Sequence, residues 1–261
     1  MNALVAISVG NTRTQIGRFN DLRGELDASE SIPNDKVDTL LERIAHHLQE
    51  VEGSDAVVAM ASVNRSFSDP LRARAEGKLD IEIGVIGEDI MPAVATRVDP
   101  DATTGVDRLL CAAAAYARLK QACVVIDAGT AVTVDFVDGE GTFHGGAIAP
   151  GAAMQLRALH EHTDALPEIG FEPPPDEPFG RNTRDAMLQG VFHGIRGLAQ
   201  RLIERYADAQ GAFPMVVVTG GDAQTIFEHE DFVDRIVPDL LLLGIASSVA
   251  AAGVDEPATD D

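Results

Sequence analysis

The sequence predicts an α/β protein made of two similar halves, each with a mixed sheet flanked by helices. Three observations carry that expectation. Two apolar runs, "LVAISVGNTRTQIGRF" at the start and "CVVIDAGTAVTVDFV" near the middle, share one pattern of strand, glycine turn and alternating strand. Ile7, Ser8, Gly10 and Thr14 align with Ile126, Asp127, Gly129 and Thr133, each 119 positions further on in a chain of 261 residues. An offset near half the chain length points to a tandem duplication and not to a solenoid. After each hairpin, helical and strand patterns alternate in the same order. The expected division is a first domain over 1–118, a second over 119–255, and a frayed tail over 256–261.

The elements follow from local pattern. A third short strand is expected after each hairpin, near residues 24–32 and 142–149. In "VDTLLERIAHHLQEV" (37–51), Val37, Leu40, Leu41, Ile44 and Leu48 fall on one helical face. "AVVAMASV" (56–63) reads as a buried strand, and "DPLRARAEGKL" (69–79) as a helix with Asp69 and Pro70 at its start. "IEIGVIG" (81–87) is a further strand. "GVDRLLCAAAAYARLK" (105–120) is an alanine-rich helix with a basic end. In the second half, "FHGGAIAPGAAM" (143–154) reads as two glycine turns around a short strand, then a helix. "RDAMLQGVFHGIRGLAQRLIERYAD" (184–208) is a long amphipathic helix, "MVVVTGG" (215–221) a buried strand, and 240–254 a final helix. The proline-rich segment 168–183 is irregular and suits a loop that covers substrate.

Composition narrows the function. The apolar fraction of 45% and the charged fraction of 24% are those of an ordinary globular protein. The net charge of −22 is not ordinary. It excludes nucleic-acid or anionic-membrane binding through a general field, so an anionic substrate must be met by local dipoles and a few cations. Only Lys36, Lys78 and Lys120 are lysines; arginine supplies the remaining positive charge. Cys111 and Cys123 lie in apolar runs without metal-ligand spacing and read as buried structural thiols. The N-terminus lacks the basic n-region of a signal peptide, and the longest uncharged run, 240–254, is too short to span a bilayer. A soluble, cytoplasmic protein is expected.

Several motifs bear on chemistry. A strand–glycine–strand turn offers backbone N–H groups to a phosphate, and Asn11, Thr12 and Thr130 add side-chain donors. One such turn is equally well a plain hairpin; two copies in tandem suit a nucleotide cleft between duplicated halves. "VVVTGGD" (216–222) adds a third glycine turn, which an ordinary strand-to-helix connection also explains. In "TTGVDRLL" (103–110), Asp107 sits in the first turn of a helix, where an acid complements the helix dipole. That does not explain Arg108, and an Asp–Arg pair beside a glycine turn is equally suited to holding a polar substrate with the carboxylate as base. The seven histidines form no HExxH zinc pattern; His162 stands out among them.

"SVGNTRTQIG", "TGVDRL", "IDAGTAVTVD", "GGAIAPG", "LHEHTDALP", "GRNT" and "VTGGDA", in this order and spacing, resemble type III pantothenate kinase over roughly residues 4–250. The resemblance implies two tandem ribonuclease-H-like (actin-like ATPase) domains with mixed sheets around a nucleotide cleft. It implies that Ser8, Val9, Gly10, Asn11, Thr12, Arg13, Thr14 and Gln15 wrap the ATP phosphates, with Thr130 also touching ATP. Asp127 matches the acid that binds a monovalent cation, K+ or NH4+, and Mg2+ accompanies ATP. Asp107 matches the catalytic base, with Gly105, Val106 and Arg108 in the pantothenate site and Thr183 as a further contact. A homodimer is implied. The implied reaction is ATP-dependent phosphorylation of pantothenate to 4'-phosphopantothenate, the first step of coenzyme A synthesis. Two positions depart from the family pattern: Ser8 stands where aspartate is usual, and Val98 where tyrosine is frequent. Ser8 leaves open a weakened relative that binds nucleotide or pantothenate as a regulator. Val98 leaves open a kinase for another small hydroxy acid or sugar.

Overall fold

The computed structural model describes residues 3–22, 25–51, 56–99 and 103–253. In chain order the elements are β1 (Leu4–Val9), β2 (Arg13–Phe19), β3 (Ala28–Pro33), α1 (Val37–Gln49), β4 (Val57–Ser62), α2 (Arg65–Leu79), β5 (Ile83–Val85), β6 (Ala95–Thr96) and α3 (Val106–Leu119). They continue with β7 (Cys123–Ala128), β8 (Ala131–Val137), β9 (Thr142–Pro150), α4 (Ala152–Glu161), α5 (Thr183–Gln210), β10 (Met215–Thr219), α6 (Ala223–Phe227), β11 (Arg235–Ile236) and α7 (Leu240–Ala252). They fall into two compact units, residues 1–95, 99–118 and 239–261 in the first and 96–98 with 119–238 in the second. The expected tail, 256–261, lies outside the described residues.

The duplication is visible in the sheets. The first has the order β3-β2-β1-β4-β5 and the second β11-β10-β7-β8-β9-β6. Read from the other edge, β9-β8-β7-β10-β11 repeats the first sheet strand for strand. In both, three antiparallel strands are extended by parallel ones: β4 and β5 beside β1, β10 and β11 beside β7. The fold class expected from the sequence, two α/β domains with mixed sheets, is the observed one.

In the first unit, alternate residues of β1 face opposite ways. Val5, Ile7 and Val9 join Ile16, Val58, Met60, Leu40, Leu41, Ile44 and Leu71 in a core under α1 and α2. The opposite face carries Ala6 and Ser8, and α7 packs there against β1, β2 and β4. Gly17 lets the Leu242 side chain approach β2, and Gly244 lies against the Leu110 backbone of α3. The final helix therefore completes the first unit, although it is the last element in the chain.

In the second unit, Val124, Ile126, Val132, Val134 and Phe136 pack with Leu156, Leu188, Val191, Ile195 and Phe227 from α4, α5 and α6. Both ends of α5 are marked in the sequence. Asn182 Oδ1 accepts from Asp185 N at 2.9 Å, and Gly211, with φ of 74°, closes the C-terminus through its N–H to Ala207 O.

Three local expectations change. The helix expected from Asp69 begins one turn earlier, at Arg65, and Pro70 lies inside it. Proline withholds the N–H that Ser66 O would accept, but Ser66 and Pro70 are exposed, so that carbonyl is open to solvent and the loss is tolerated. Gly145 and Gly146 do not form a turn; β9 runs through them with Gly145 at φ 86°. Gly146 is required there because a Cβ would strike Val134 O on the neighbouring strand. Finally, the two hairpins differ in length. Val9 pairs with Thr14, but Ala128 pairs with Val132. The 119-residue offset thus holds up to the turn and slips by one after it, so that Thr133, opposite Asp127, corresponds to Gln15, opposite Ser8.

Candidate functional site

In the first unit the candidate residues lie on the β1–β2 turn and at the start of α3. Ser8 ends the Leu4–Ala6–Ser8 face, is 7% exposed, and is flanked across the sheet by Gln15 and Ala61. The turn is closed by Gly10 N donating to Arg13 O at 2.9 Å. Asn11, Thr12 and Arg13 project from it and are exposed, while Thr14 is fully buried. The Arg13 guanidinium is held by β3: Nε donates to Ser31 Oγ at 2.9 Å and Nη2 to Ser31 O at 2.6 Å. Asn34, just beyond β3, bonds the turn through both side-chain amide atoms.

Asp107 occupies the first turn of α3, where an acid complements the helix dipole. Its Oδ1 accepts from Arg108 N at 2.8 Å. A Cβ on Gly105 would come within 2.5 Å of that same oxygen, so glycine at 105 gives the carboxylate room to fold over the helix start. Val106 packs beside the turn at Gly87. Gly105 to Arg108 are all half-buried.

In the second unit, Asp127 stands at the end of β7, paired with Thr133 on β8 and Thr219 on β10. Three turns meet around it. Gly129 N donates to Ala131 O at 2.9 Å, Gly151 N to Thr130 O at 3.1 Å, and Asp222 N to Ala128 O at 2.9 Å. Gly220 has a φ of 99° and leaves no room for a side chain between Ala128 O and the Asp127 carboxylate. Both the αL backbone and the close approach demand glycine, which makes "TGG" more than a connection. Asp222, at the end of this turn, is half-buried, and burial raises its pKa above the usual carboxylate value.

Thr183 begins α5 and lines a groove of about 780 Å³ between α4 and α5. His162 lines the same groove, with Met154, Leu159, Leu166 and Met187 making its walls apolar. The structure thus brings the first-hairpin residues to one turn, Asp127 and Thr130 to the second hairpin, and Thr183 to a groove that it shares with His162. Val98 belongs to the second unit, where its Cγ1 lies 3.7 Å from where a Gly145 Cβ would stand. No sequence signal marks Asn34 or Asp222 for the site: Asn34 has no motif, and Asp222 is only the last letter of a glycine turn.

Among the described residues no group of three or more His, Cys, Asp or Glu side chains could hold a metal ion.

Duplicated sheets of this order, each with a glycine hairpin between its first two strands, define the actin-like two-domain fold. Two solved structures share the fold over nearly the whole chain. A conserved Campylobacter jejuni protein assigned by name to the Baf family of transcriptional activators has a TM-score of 0.61 at 20% identity, covering 96% of this chain and 99% of its own. The ethanolamine utilization protein EutJ from Carboxydothermus hydrogenoformans has a TM-score of 0.54 at 14% identity, covering 95% and 90%. At the level of sequence, the signature of type III pantothenate kinase matches residues 4–205. A type III pantothenate kinase of Dehalococcoides mccartyi is 34% identical over 246 residues, 93% of each chain. One from Rhodopirellula baltica is 40% identical over 194 residues, 71% of this chain and 68% of its own. The chain belongs to the type III pantothenate kinase family, and it is a phosphotransferase.

Proposed function

We propose that the chain transfers the γ-phosphate of ATP to the primary hydroxyl of pantothenate, giving 4'-phosphopantothenate and ADP in the first step of coenzyme A synthesis. The observation that carries this reading is Asp107, held at the head of α3 beside a glycine that leaves its carboxylate room, in a chain that belongs to the pantothenate kinase family. Asp107 takes the proton of the hydroxyl as its oxygen bonds to the γ-phosphorus and the bond to the β–γ bridging oxygen breaks. Gly105, Val106 and Arg108 position pantothenate, and Thr183 supplies a further contact. The turn from Ser8 to Gln15 receives the phosphates through its N–H groups and the exposed Asn11 and Thr12 side chains, the Thr14 hydroxyl being committed to Asn34, and Thr130 meets ATP from the second hairpin.

Asp127 is the residue we assign to a monovalent cation, K+ or NH4+. Mg2+ would enter on the phosphates, with the buried Ser8 hydroxyl as a neutral neighbour where the family usually has an acid. Both ions offset phosphate charge when bound. The active form we assign is a homodimer located in the cytoplasm. No helix among the described residues is long and apolar enough to cross a membrane.

The test is direct. Purified protein given ATP, Mg2+, K+ and pantothenate should form 4'-phosphopantothenate, detected by mass. Protein that binds ATP yet forms no product under these conditions would refute the reading. Omitting K+ should lower turnover, and light scattering should give twice the 27.6 kDa chain mass; turnover indifferent to the monovalent ion would remove the role given to Asp127.

A further inference from the structure

We infer that Asn34 is a positioning residue for phosphate transfer: it staples the β1–β2 turn from β3 and aims that turn's amides at the nucleotide. The inference deepens the proposed function and rests on its reading of the first hairpin as the phosphate-binding turn.

Three bonds converge on this one residue. Its side-chain Nδ2 donates to Gly10 O at 3.0 Å. Its Oδ1 accepts from Thr14 Oγ1 at 2.8 Å. Its backbone N donates to Thr12 O at 3.0 Å. The turn between the paired residues Val9 and Thr14 has one bond of its own, Gly10 N to Arg13 O. Asn34 thus grips the first, third and last residues of the segment Gly10–Thr14 from just beyond β3, twenty or more positions away in sequence.

Peptide planarity makes this grip directional. In a trans peptide the C=O of one residue and the N–H of the next point opposite ways. Drawing the Gly10 carbonyl towards Asn34 therefore turns the Asn11 N–H away from β3, and drawing in the Thr12 carbonyl does the same for the Arg13 N–H. Donors that must meet a phosphate act best when fixed beforehand, because no reorganisation then opposes binding. Thr14 supports the arrangement from inside: it is fully buried, and its hydroxyl donates to Asn34 Oδ1 instead of facing a ligand. The Arg13 guanidinium, bonded twice to Ser31, ties the same turn to β3 at a second point.

Asn34→Ala removes the two side-chain bonds and keeps the backbone one. The expected result is a KM for ATP raised roughly tenfold, as loss of two modest hydrogen bonds implies, with the KM for pantothenate unchanged and the thermal midpoint little moved. Thr14→Val should repeat that pattern and Thr14→Ser should restore wild-type behaviour. Asn34→Asp keeps the acceptor for Thr14 but sets a negative oxygen against Gly10 O, and should raise the ATP KM at least as much as alanine. Amide exchange over residues 10–14 should quicken in Asn34→Ala. In the wild type, a non-hydrolysable ATP analogue should slow exchange over the same residues. If the analogue leaves wild-type exchange there unchanged, the hairpin is not the phosphate turn and the underlying reading fails. If the analogue protects the turn but Asn34→Ala leaves the ATP KM unaltered, or raises both KM values equally, the staple has no positioning role and the inference falls.

Discussion

Asp107 and Ser8 pose opposite questions at the scale of single residues. Asp107 is expected to take a proton, and general bases contribute about 10²–10⁴-fold to rate. Asp107→Asn keeps the shape and the acceptor oxygen for Arg108 N but cannot take that proton. Its turnover should fall within that range while ATP still binds, as measured by product formation and by titration with a nucleotide analogue. Undiminished turnover would move the base elsewhere. Ser8 lacks a charge that the corresponding residue of the second half, Asp127, retains. Its neighbours across the sheet, Gln15 and Ala61, place no acid there either. Ser8→Asp should lower the Mg2+ concentration needed for half-maximal turnover, since a carboxylate shares the ion with the phosphates. A rise in that concentration would show that the site is arranged around a neutral hydroxyl.

At the scale of elements, β3 and α1 meet through a charged cluster that has a predictable pH response. His47 is 4% exposed, and its Nε2 lies 2.8 Å from Glu30 Oε1; Arg43 Nε donates to the same oxygen at 2.6 Å. Burial, together with Arg43 and Arg18, lowers the His47 pKa, against the pull of Glu30 in the other direction. Burial would raise the Glu30 pKa, but the bonds from Arg43 and His47 outweigh it and bring it below the usual value. Both groups have folded values below their unfolded ones, so both cost stability as pH falls. The His47 contribution is intact above about 6.5, the ordinary histidine value, and declines below it as the unfolded chain takes up a proton that the folded one refuses. The Glu30 contribution declines at lower pH, as its carboxylate is protonated. His47→Gln keeps a donor near Glu30 without a titrating ring. Its urea midpoint should therefore fall less than that of the wild type between pH 7 and 5; equal slopes would exclude His47 as the source.

The same elements show what a sequence can and cannot reveal. The hairpins, α1, α3 and α5 were legible because their apolar residues recur with period 2 or 3.6 over enough positions to be unmistakable. β6, α6 and β11 span only two to five residues, too few for any period. Pro70 misplaced the start of α2 because proline suits a first turn, and its tolerance further inside depends on exposure, which is a tertiary property. Gly145 and Gly146 looked like a turn because glycine marks both turns and close strand approach; only the neighbouring Val134 carbonyl decides between them. Of the candidate site, Asp107, Asp127 and Thr130 could be picked out from motifs. Asn34 could not, since its partners Gly10, Thr12 and Thr14 come to it only when β3 pairs with β2.

The dominant property of the whole molecule is charge: 42 acidic residues against 20 basic ones, a net −22. Such an excess opposes compaction, and salt relieves it, since the screening length falls from about 10 Å at 0.1 M to about 3 Å at 1 M. The thermal midpoint should therefore rise by several degrees between these concentrations in choline chloride, a salt whose cation is too large for a small oxygen site. Potassium chloride should give the same rise and, if Asp127 holds K+, an added increment already present at low concentration, because an ion that binds only the folded chain stabilises it by mass action. Asp127→Asn should abolish the increment and leave the broad rise intact. A midpoint flat in choline chloride would show that the acidic excess is not a significant strain on the fold. Identical curves in the two salts would separate the effects the other way, leaving general screening without a specific ion at Asp127.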